Sequence, residues 1–225
     1  MSAATNKRRS RRVRGVFNKE SEKYQKDSFV STVTRSTPTP TPEADDANEL
    51  EKRQACTPYV LLYARGTTET GDLGLTVGPA LAAGIRGKDW TVRGISSRDG
   101  YYADLPGIYC IGLPGGLACK DVLNKMSKSC PNSKFVTSGY SQGAMVAREC
   151  VAFAEPEARA KVIGILTYGD PFNGATVKGF PQDKIKINCN PTDGVCKGDF
   201  SIGLGHLSYS TTTGVAWLKS LEKKG

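Results

Sequence analysis

Lys134-Phe-Val-Thr-Ser-Gly139-Tyr-Ser141-Gln-Gly143-Ala-Met-Val-Ala-Arg-Glu-Cys-Val-Ala-Phe153 is the stretch on which the fold turns. Lys134–Ser138 is a β run, and Gln142–Phe153 spaces its apolar residues as a helix does. Between them, Gly139-Tyr140-Ser141-Gln142-Gly143 fits G-x-S-x-G, which carries meaning only between a strand and a helix. Glycines omit a Cβ where such a tight turn brings strand and helix together. Ser141 is left at the apex, with the helix N-terminus behind it.

The same alternation extends outward in both directions. Upstream, Pro58–Ala64 is a nearly continuous apolar run, as a strand buried on both faces requires. Leu73–Ile85 has helical spacing in spite of Gly74, Gly78 and Gly84. Trp90–Ile95 is a second strand, and Ser96–Gly116, rich in Gly, Pro and Tyr, reads as a long loop. Leu117–Ser129 is a helix with Leu117, Val122, Leu123 and Met126 on one side. Downstream come strands at Val162–Tyr168 and Lys184–Asn188. A closing helix, Gly214–Lys223, has basic residues in its last turn, as the helix dipole prefers. Strand alternating with helix predicts an α/β fold, a three-layer α/β/α sandwich around a mostly parallel central sheet. Sites in such sheets lie at the carboxyl ends of the strands.

Charge divides the chain. The 225 residues carry a formal net charge of +9, of which residues 1–53 hold +4 and residues 54–225 hold +5. Lys7–Arg14 is a basic run that reads as a solvated arm rather than as a nucleic-acid contact. Ser31–Pro42, with its Thr-Pro repeat, has the composition of an extended linker. All the cysteines follow Arg53. Residues 1–53 are therefore expected to be a disordered basic leader with a propeptide-like Ser/Thr/Pro segment, and residues 54–225 one folded domain. Lys52-Arg53 reads as a dibasic processing site. Secretion is expected, yet residues 1–30 lack the apolar core of a signal peptide. Either export takes another route or the signal lies on a missing upstream exon, which is the expectation favoured here. No segment approaches the roughly 20 apolar residues of a membrane span.

A serine hydroxyl needs a base to become a nucleophile. His206 is the sole histidine, and it follows Ser141 in the Ser…Asp…His order of α/β-hydrolase-type sites. One histidine and no C-x-x-C spacing also argue against a zinc site, so neither metal nor cofactor is expected. Among the acids between Ser141 and His206, Glu155 and Glu157 fall in a helix-like stretch, and Asp183 precedes its strand. Asp193 follows a strand, inside Cys189-Asn-Pro-Thr-Asp193-Gly-Val-Cys196. A disulfide there would rigidify the acid. Asp170, after Val162–Tyr168, is the runner-up.

Four stretches in this order resemble the cutinases, small serine esterases that hydrolyse the polyester cutin. They are Tyr63-Ala-Arg-Gly-Thr-Thr-Glu-Thr-Gly71, Gly139-Tyr-Ser-Gln-Gly-Ala144, Cys189-Asn-Pro-Thr-Asp-Gly-Val-Cys196 and His206-Leu-Ser-Tyr209, and the resemblance spans 56–222. It implies a minimal α/β-hydrolase fold, with Ser141 as nucleophile, Asp193 as orienting acid and His206 as base. It also implies an oxyanion hole at Thr67 and Gln142, with Thr67 standing where the family often has serine. Disulfides Cys56–Cys130 and Cys189–Cys196 are implied as well. Cys110–Cys119 is a further candidate bridge, and Cys150 is expected to be a buried free thiol. Ile202, Leu204 and Leu207 are expected to wall an acyl groove. Residues 99–118 depart from the family pattern. The expected activity is hydrolysis of cutin and short-to-medium acyl esters by a secreted monomer, with no nucleic-acid partner. An acetylxylan esterase-like enzyme of the same fold is the alternative, and a basic-arm nucleic-acid binder is a distant one.

Overall fold

The computed structural model describes residues 56–199 and 201–223. The expected leader, with its basic run and Lys52-Arg53, lies outside the described residues. Within them, five strands form one sheet: β1 (Tyr59–Ala64), β2 (Trp90–Ile95), β3 (Lys134–Tyr140), β4 (Val162–Tyr168) and β5 (Ile185–Asn188). Their order is β2-β1-β3-β4-β5, and every pairing is parallel. The sheet edge at β5 and the central strand β3 both contribute carboxyl-terminal loops to the same side.

Alternation along β1 shows why its run is apolar throughout. Val60, Leu62 and Ala64 face one core, shared with Phe135, Leu123, Val146 and Val151. Leu61 and Tyr63 face the other, shared with Val77, Leu81, Val136 and Leu218. The first core lies under α3 (Leu113–Ser129) and α4 (Gln142–Phe153), and the second under α1 (Gly78–Gly84) and α7 (Thr212–Glu222). Each large side chain buried fully in either layer contributes roughly 1.5–3 kcal/mol. With both faces covered, the strands inside the sheet are largely apolar, although Ser138 of β3 and Thr167 of β4 are buried polar exceptions. The sheet and its flanking helices make the minimal α/β-hydrolase architecture. No helix among the described residues is long and apolar enough to cross a membrane.

Three local expectations need correction. The helix read over Leu73–Ile85 is only Gly78–Gly84. Gly74 is left-handed, and Glu69 Oε1 accepts from Leu75 N–H (2.9 Å) and Thr76 N–H (2.7 Å), so these residues form a turn anchored on Glu69. The loop read over Ser96–Gly116 contains α2 (Leu105–Tyr109) and the start of α3. Pro106 and Pro114 sit in the first turns of these helices, where proline's missing N–H is harmless, and Asp104 caps α2 by accepting from Gly107 N–H at 2.9 Å. The inner face of α3 carries Ala118, Cys119 and Leu123 while Leu117 is exposed, because Gly115 and Gly116 bring that helix onto α4. Two short helices complete the chain, α5 (Pro156–Ala160) and α6 (Leu204–Leu207).

Candidate active site

Ser141 stands at the turn from β3 into α4 with φ 55° and ψ −121°. That positive φ is costly for a residue with a Cβ, and close packing on either side imposes it. A Cβ on Gly139 would lie 1.9 Å from the Gly143 carbonyl oxygen, and one on Gly143 would lie 2.0 Å from that of Ala64. The two motif glycines are thus required by contact between backbones. Ser141 N–H donates to the Tyr168 carbonyl (2.9 Å), which ties the turn to the end of β4.

Asp193 enters from the far edge of the sheet. The disulfide Cys189–Cys196 closes the loop that follows β5, and Asp193 lies inside it, fully buried. Its Oδ1 accepts from Val195 N–H at 2.9 Å. Its Oδ2 lies 2.8 Å from His206 Nδ1, and His206 Nε2 lies 3.0 Å from Ser141 Oγ. His206 is itself buried, on the short helix α6. Tyr140 stacks on the imidazole with centroids 5.0 Å apart, and its hydroxyl donates to the His206 carbonyl at 2.8 Å. Gly169, at φ +55°, follows β4 beside the ring, where a Cβ would come 2.8 Å from His206 Cε1. Burial alone would push the Asp193 carboxyl up. Hydrogen bonds from Tyr209 and His206, the attraction of His206 and the Val195 N–H outweigh it and hold the carboxyl below its ordinary value.

Asp170, the runner-up acid, serves elsewhere. It is fully buried, and its Oδ2 accepts from Arg148 Nε at 2.7 Å. It is thereby committed to an ion pair with α4.

Thr67 and Gln142 lie at the ends of adjacent strands, since Ala64 of β1 is in register with Gly139 of β3. Thr67 is half-buried, and its carbonyl accepts from the Thr68 hydroxyl at 2.7 Å. Gln142 is held by its side chain: Nε2 donates to the Asp104 carbonyl at 2.8 Å, and Oε1 is 3.2 Å from the Tyr101 hydroxyl. That hydroxyl also donates to the Arg65 carbonyl at 2.6 Å. Residues 101–104, which depart from the family pattern, therefore brace the start of α4. Sequence reasoning assigned no task to Tyr101, Tyr140, Asn190 or Tyr209. For Tyr209 a signal existed, because it stands three residues after His206 within the stretch quoted above.

Ile202, Leu204 and Leu207 surround His206 in sequence and are exposed, Leu204 by 85%. Leu105, Tyr109 and Ile111 form another exposed apolar group, on and after α2. Cys56 is bonded to Cys130. Cys110 and Cys119 are both free, which corrects the bridge expected between them. Cys110 is exposed at the end of α2, whereas Cys119 points into the core under α3, so their thiols face different surroundings. Cys150 is a free buried thiol, and burial pushes it up first, with Cys119 as a hydrogen-bonding neighbour adding to that.

A parallel α/β sheet with a serine at its central strand-to-helix turn is the architecture of the α/β-hydrolases, and comparison with known proteins narrows this to a carboxylic ester hydrolase. Residues 55–222 match the family model described as Cutinase. The chain is 36% identical over 173 residues to a cutinase of Botryotinia fuckeliana, covering 74% of this chain and 84% of that protein. Among solved structures, Trichoderma reesei cutinase in complex with a C11Y4 phosphonate inhibitor superposes with a TM-score of 0.65 at 27% identity, over 79% of this chain and 84% of that one. An acetylxylan esterase shares the fold, with a TM-score of 0.60 at 22% identity over 74% of this chain and 99% of that one. The chain belongs to the cutinase family.

Proposed function

We propose that this chain hydrolyses carboxylic esters through Ser141, His206 and Asp193 and that its natural substrate is a polyester such as cutin. The single observation carrying this reading is the unbroken contact from Asp193 Oδ2 to His206 Nδ1 (2.8 Å) and from His206 Nε2 to Ser141 Oγ (3.0 Å). His206 Nε2 takes the Ser141 proton as Oγ bonds to the ester carbonyl carbon and the carbonyl π pair moves onto oxygen. The oxyanion is received by the Gln142 N–H at the start of α4 and by Thr67, through its N–H and hydroxyl. Its collapse expels the alcohol, which leaves with the proton from His206. Water then gives a proton to His206, attacks the acyl-enzyme and releases the acid, and Ser141 recovers its proton.

Asp193, kept ionised, orients the imidazole and offsets the charge it gains. Ile202, Leu204 and Leu207 serve as one wall of the acyl site, which their exposure beside His206 supports. We further propose that the enzyme acts outside the cell as a monomer, with residues 1–53 removed at Lys52-Arg53. N-terminal sequencing of secreted protein tests this, with Gln54 the expected first residue.

Labelling residues 54–225 with a serine-directed phosphonate tests the chemistry. Modification at Ser141, and abolished hydrolysis in a folded Ser141→Ala, are expected. Labelling elsewhere or retained activity overturns the assignment. A series of p-nitrophenyl esters from acetyl to long acyl, together with polyester release, tests the substrate class. Short-to-medium acyl preference with release is expected, and activity on acetyl esters alone overturns the polyester reading in favour of a carbohydrate esterase.

A further inference from the structure

The hydroxyl of Tyr209 stands 2.5 Å from Asp193 Oδ2, the oxygen that His206 Nδ1 approaches to 2.8 Å. Asn190 N–H donates to the Tyr209 oxygen at 3.2 Å, so the phenol's own hydrogen is the one directed at the carboxylate. Asn190 Nδ2 also donates to the carbonyls of Gly205 (2.7 Å) and Ser208 (3.0 Å), clamping the disulfide-closed loop onto α6 and the residues after it. The Tyr209 ring is fixed edge-on between Tyr140 (6.0 Å) and Tyr168 (5.8 Å). An aspartate carboxylate turns easily about its last torsion. Val195 N–H on one oxygen leaves the other to be set by its donors, and Asp193 Oδ2 has two.

We infer that Tyr209 is a positioning residue for the reaction proposed above: its hydroxyl fixes the Asp193 carboxylate toward His206 and takes a share of its charge. Two donors on one carboxylate oxygen compete, since each withdraws charge that the other would use. Tyr209 thereby restrains how tightly Asp193 holds a proton on the imidazole while keeping the oxygen in place. The inference rests on Ser141, His206 and Asp193 being the reacting set. The titratable groups facing the pair are Tyr140 from β3, Tyr168 from β4 and Tyr209 itself. Burial, then the bond to Asp193, push the Tyr209 phenol up, so it stays a donor through the working range.

The test compares wild type, Tyr209→Phe, Tyr168→Phe and Ser141→Ala, each as the full chain. Hydrolysis of p-nitrophenyl butyrate is followed between about pH 5 and about pH 9, alongside proton NMR of His206. The sole histidine makes its signals unambiguous. Tyr209→Phe keeps the ring and removes the hydroxyl. Its kcat is expected to fall about tenfold with KM unchanged, because geometry is lost in the transition state and not in binding. The acid limb of kcat/KM and the imidazole titration are both expected to move up by about half a pH unit or more.

Tyr168→Phe removes a buried hydroxyl of the same cluster that has no hydrogen-bond partner among the described residues, and is expected to leave the limb in place. Should Tyr209→Phe not fold, 3-fluorotyrosine at position 209 keeps the hydroxyl as a stronger donor and is expected to move the limb down. A limb that stays put in whichever Tyr209 variant folds, moves against these directions, or moves equally in Tyr168→Phe overturns the inference alone. Retained activity in Ser141→Ala overturns the proposed reaction and this inference with it.

Discussion

Arg148 Nε stands 2.7 Å from Asp170 Oδ2, with both side chains buried beneath α4. Arg148 Nη1 also donates to the Ala175 carbonyl at 2.8 Å. The pair joins the helix that carries Ser141 to the segment leaving β4, and it separates two acids that look alike in sequence. Removing one partner of a buried ion pair leaves an uncompensated charge and costs about 3–5 kcal/mol. Asp170→Asn is therefore expected to lower stability by that order, read by urea unfolding, while the folded fraction keeps its kcat. Asp193→Asn should do the reverse, with kcat down by about 10⁴ and a cooperative unfolding transition retained.

Gly169 makes a second test of geometry. Its φ of +55° disfavours any side chain, and a Cβ there would meet His206 Cε1 at 2.8 Å and Asp193 Oδ2 at 3.2 Å. Both members of the pair would have to shift. Displacement of reacting groups by about 1 Å lowers rate about 100-fold. Gly169→Ala is expected to lower kcat by that order, against a backbone penalty of only about 1–2 kcal/mol. Steady-state kinetics beside thermal unfolding checks the split.

What the sequence made legible follows from periodicity and chain order. The strands at Trp90–Ile95 and Val162–Tyr168 and the helix Gln142–Phe153 match the structure end for end, since β-branched and aromatic residues bounded by turn residues mark a strand and apolar spacing after the G-x-S-x-G turn marks a helix. Residues 96–116 were illegible because proline and glycine signal a loop and a helix start alike. At α2 the cap by Asp104, a local hydrogen bond, decides between them. Asp193 and Asp170 each follow a strand, and in sequence only the flanking Cys189 and Cys196 set Asp193 apart. The contact from Arg148 that occupies Asp170 joins residues 22 apart in sequence, a relation no local pattern reports. Tyr101, which braces Gln142 from 41 residues away, was hidden for the same reason.

The two disulfides do different work, and removing each should show it. Cys189–Cys196 spans 7 residues around Asp193, and Cys56–Cys130 spans 74. In the chain-entropy model the short loop contributes about 2.5 kcal/mol and the long one about 4.5 kcal/mol. Replacing Cys56 and Cys130 by serine is expected to lower stability more, with kcat kept. Replacing Cys189 and Cys196 is expected to lower stability less, yet reduce kcat, because the loop that fixes Asp193 is loosened. Equal kcat values for the two double variants would contradict this division.

Glu149 sets a pH dependence that is independent of the triad. It sits on the buried side of α4 against α3, where a Cβ on Gly116 would lie 2.5 Å from its Oε2, and that oxygen has no hydrogen-bond partner among the described residues. Burial pushes its carboxyl up to about 8, from an ordinary 4.5. Between those values the unfolded chain has released the proton and the folded chain retains it. The unfolded state then binds fewer protons, so the contribution of Glu149 to stability is full below this window and is lost as pH rises through it. Glu149→Gln cannot ionise and should flatten that slope, gaining about 1–3 kcal/mol over wild type at a pH above the window. Urea unfolding of both proteins from mildly acid to alkaline pH measures it, and a wild-type curve that rises or stays level between 4.5 and 8 while the variant gains nothing would refute a neutral Glu149.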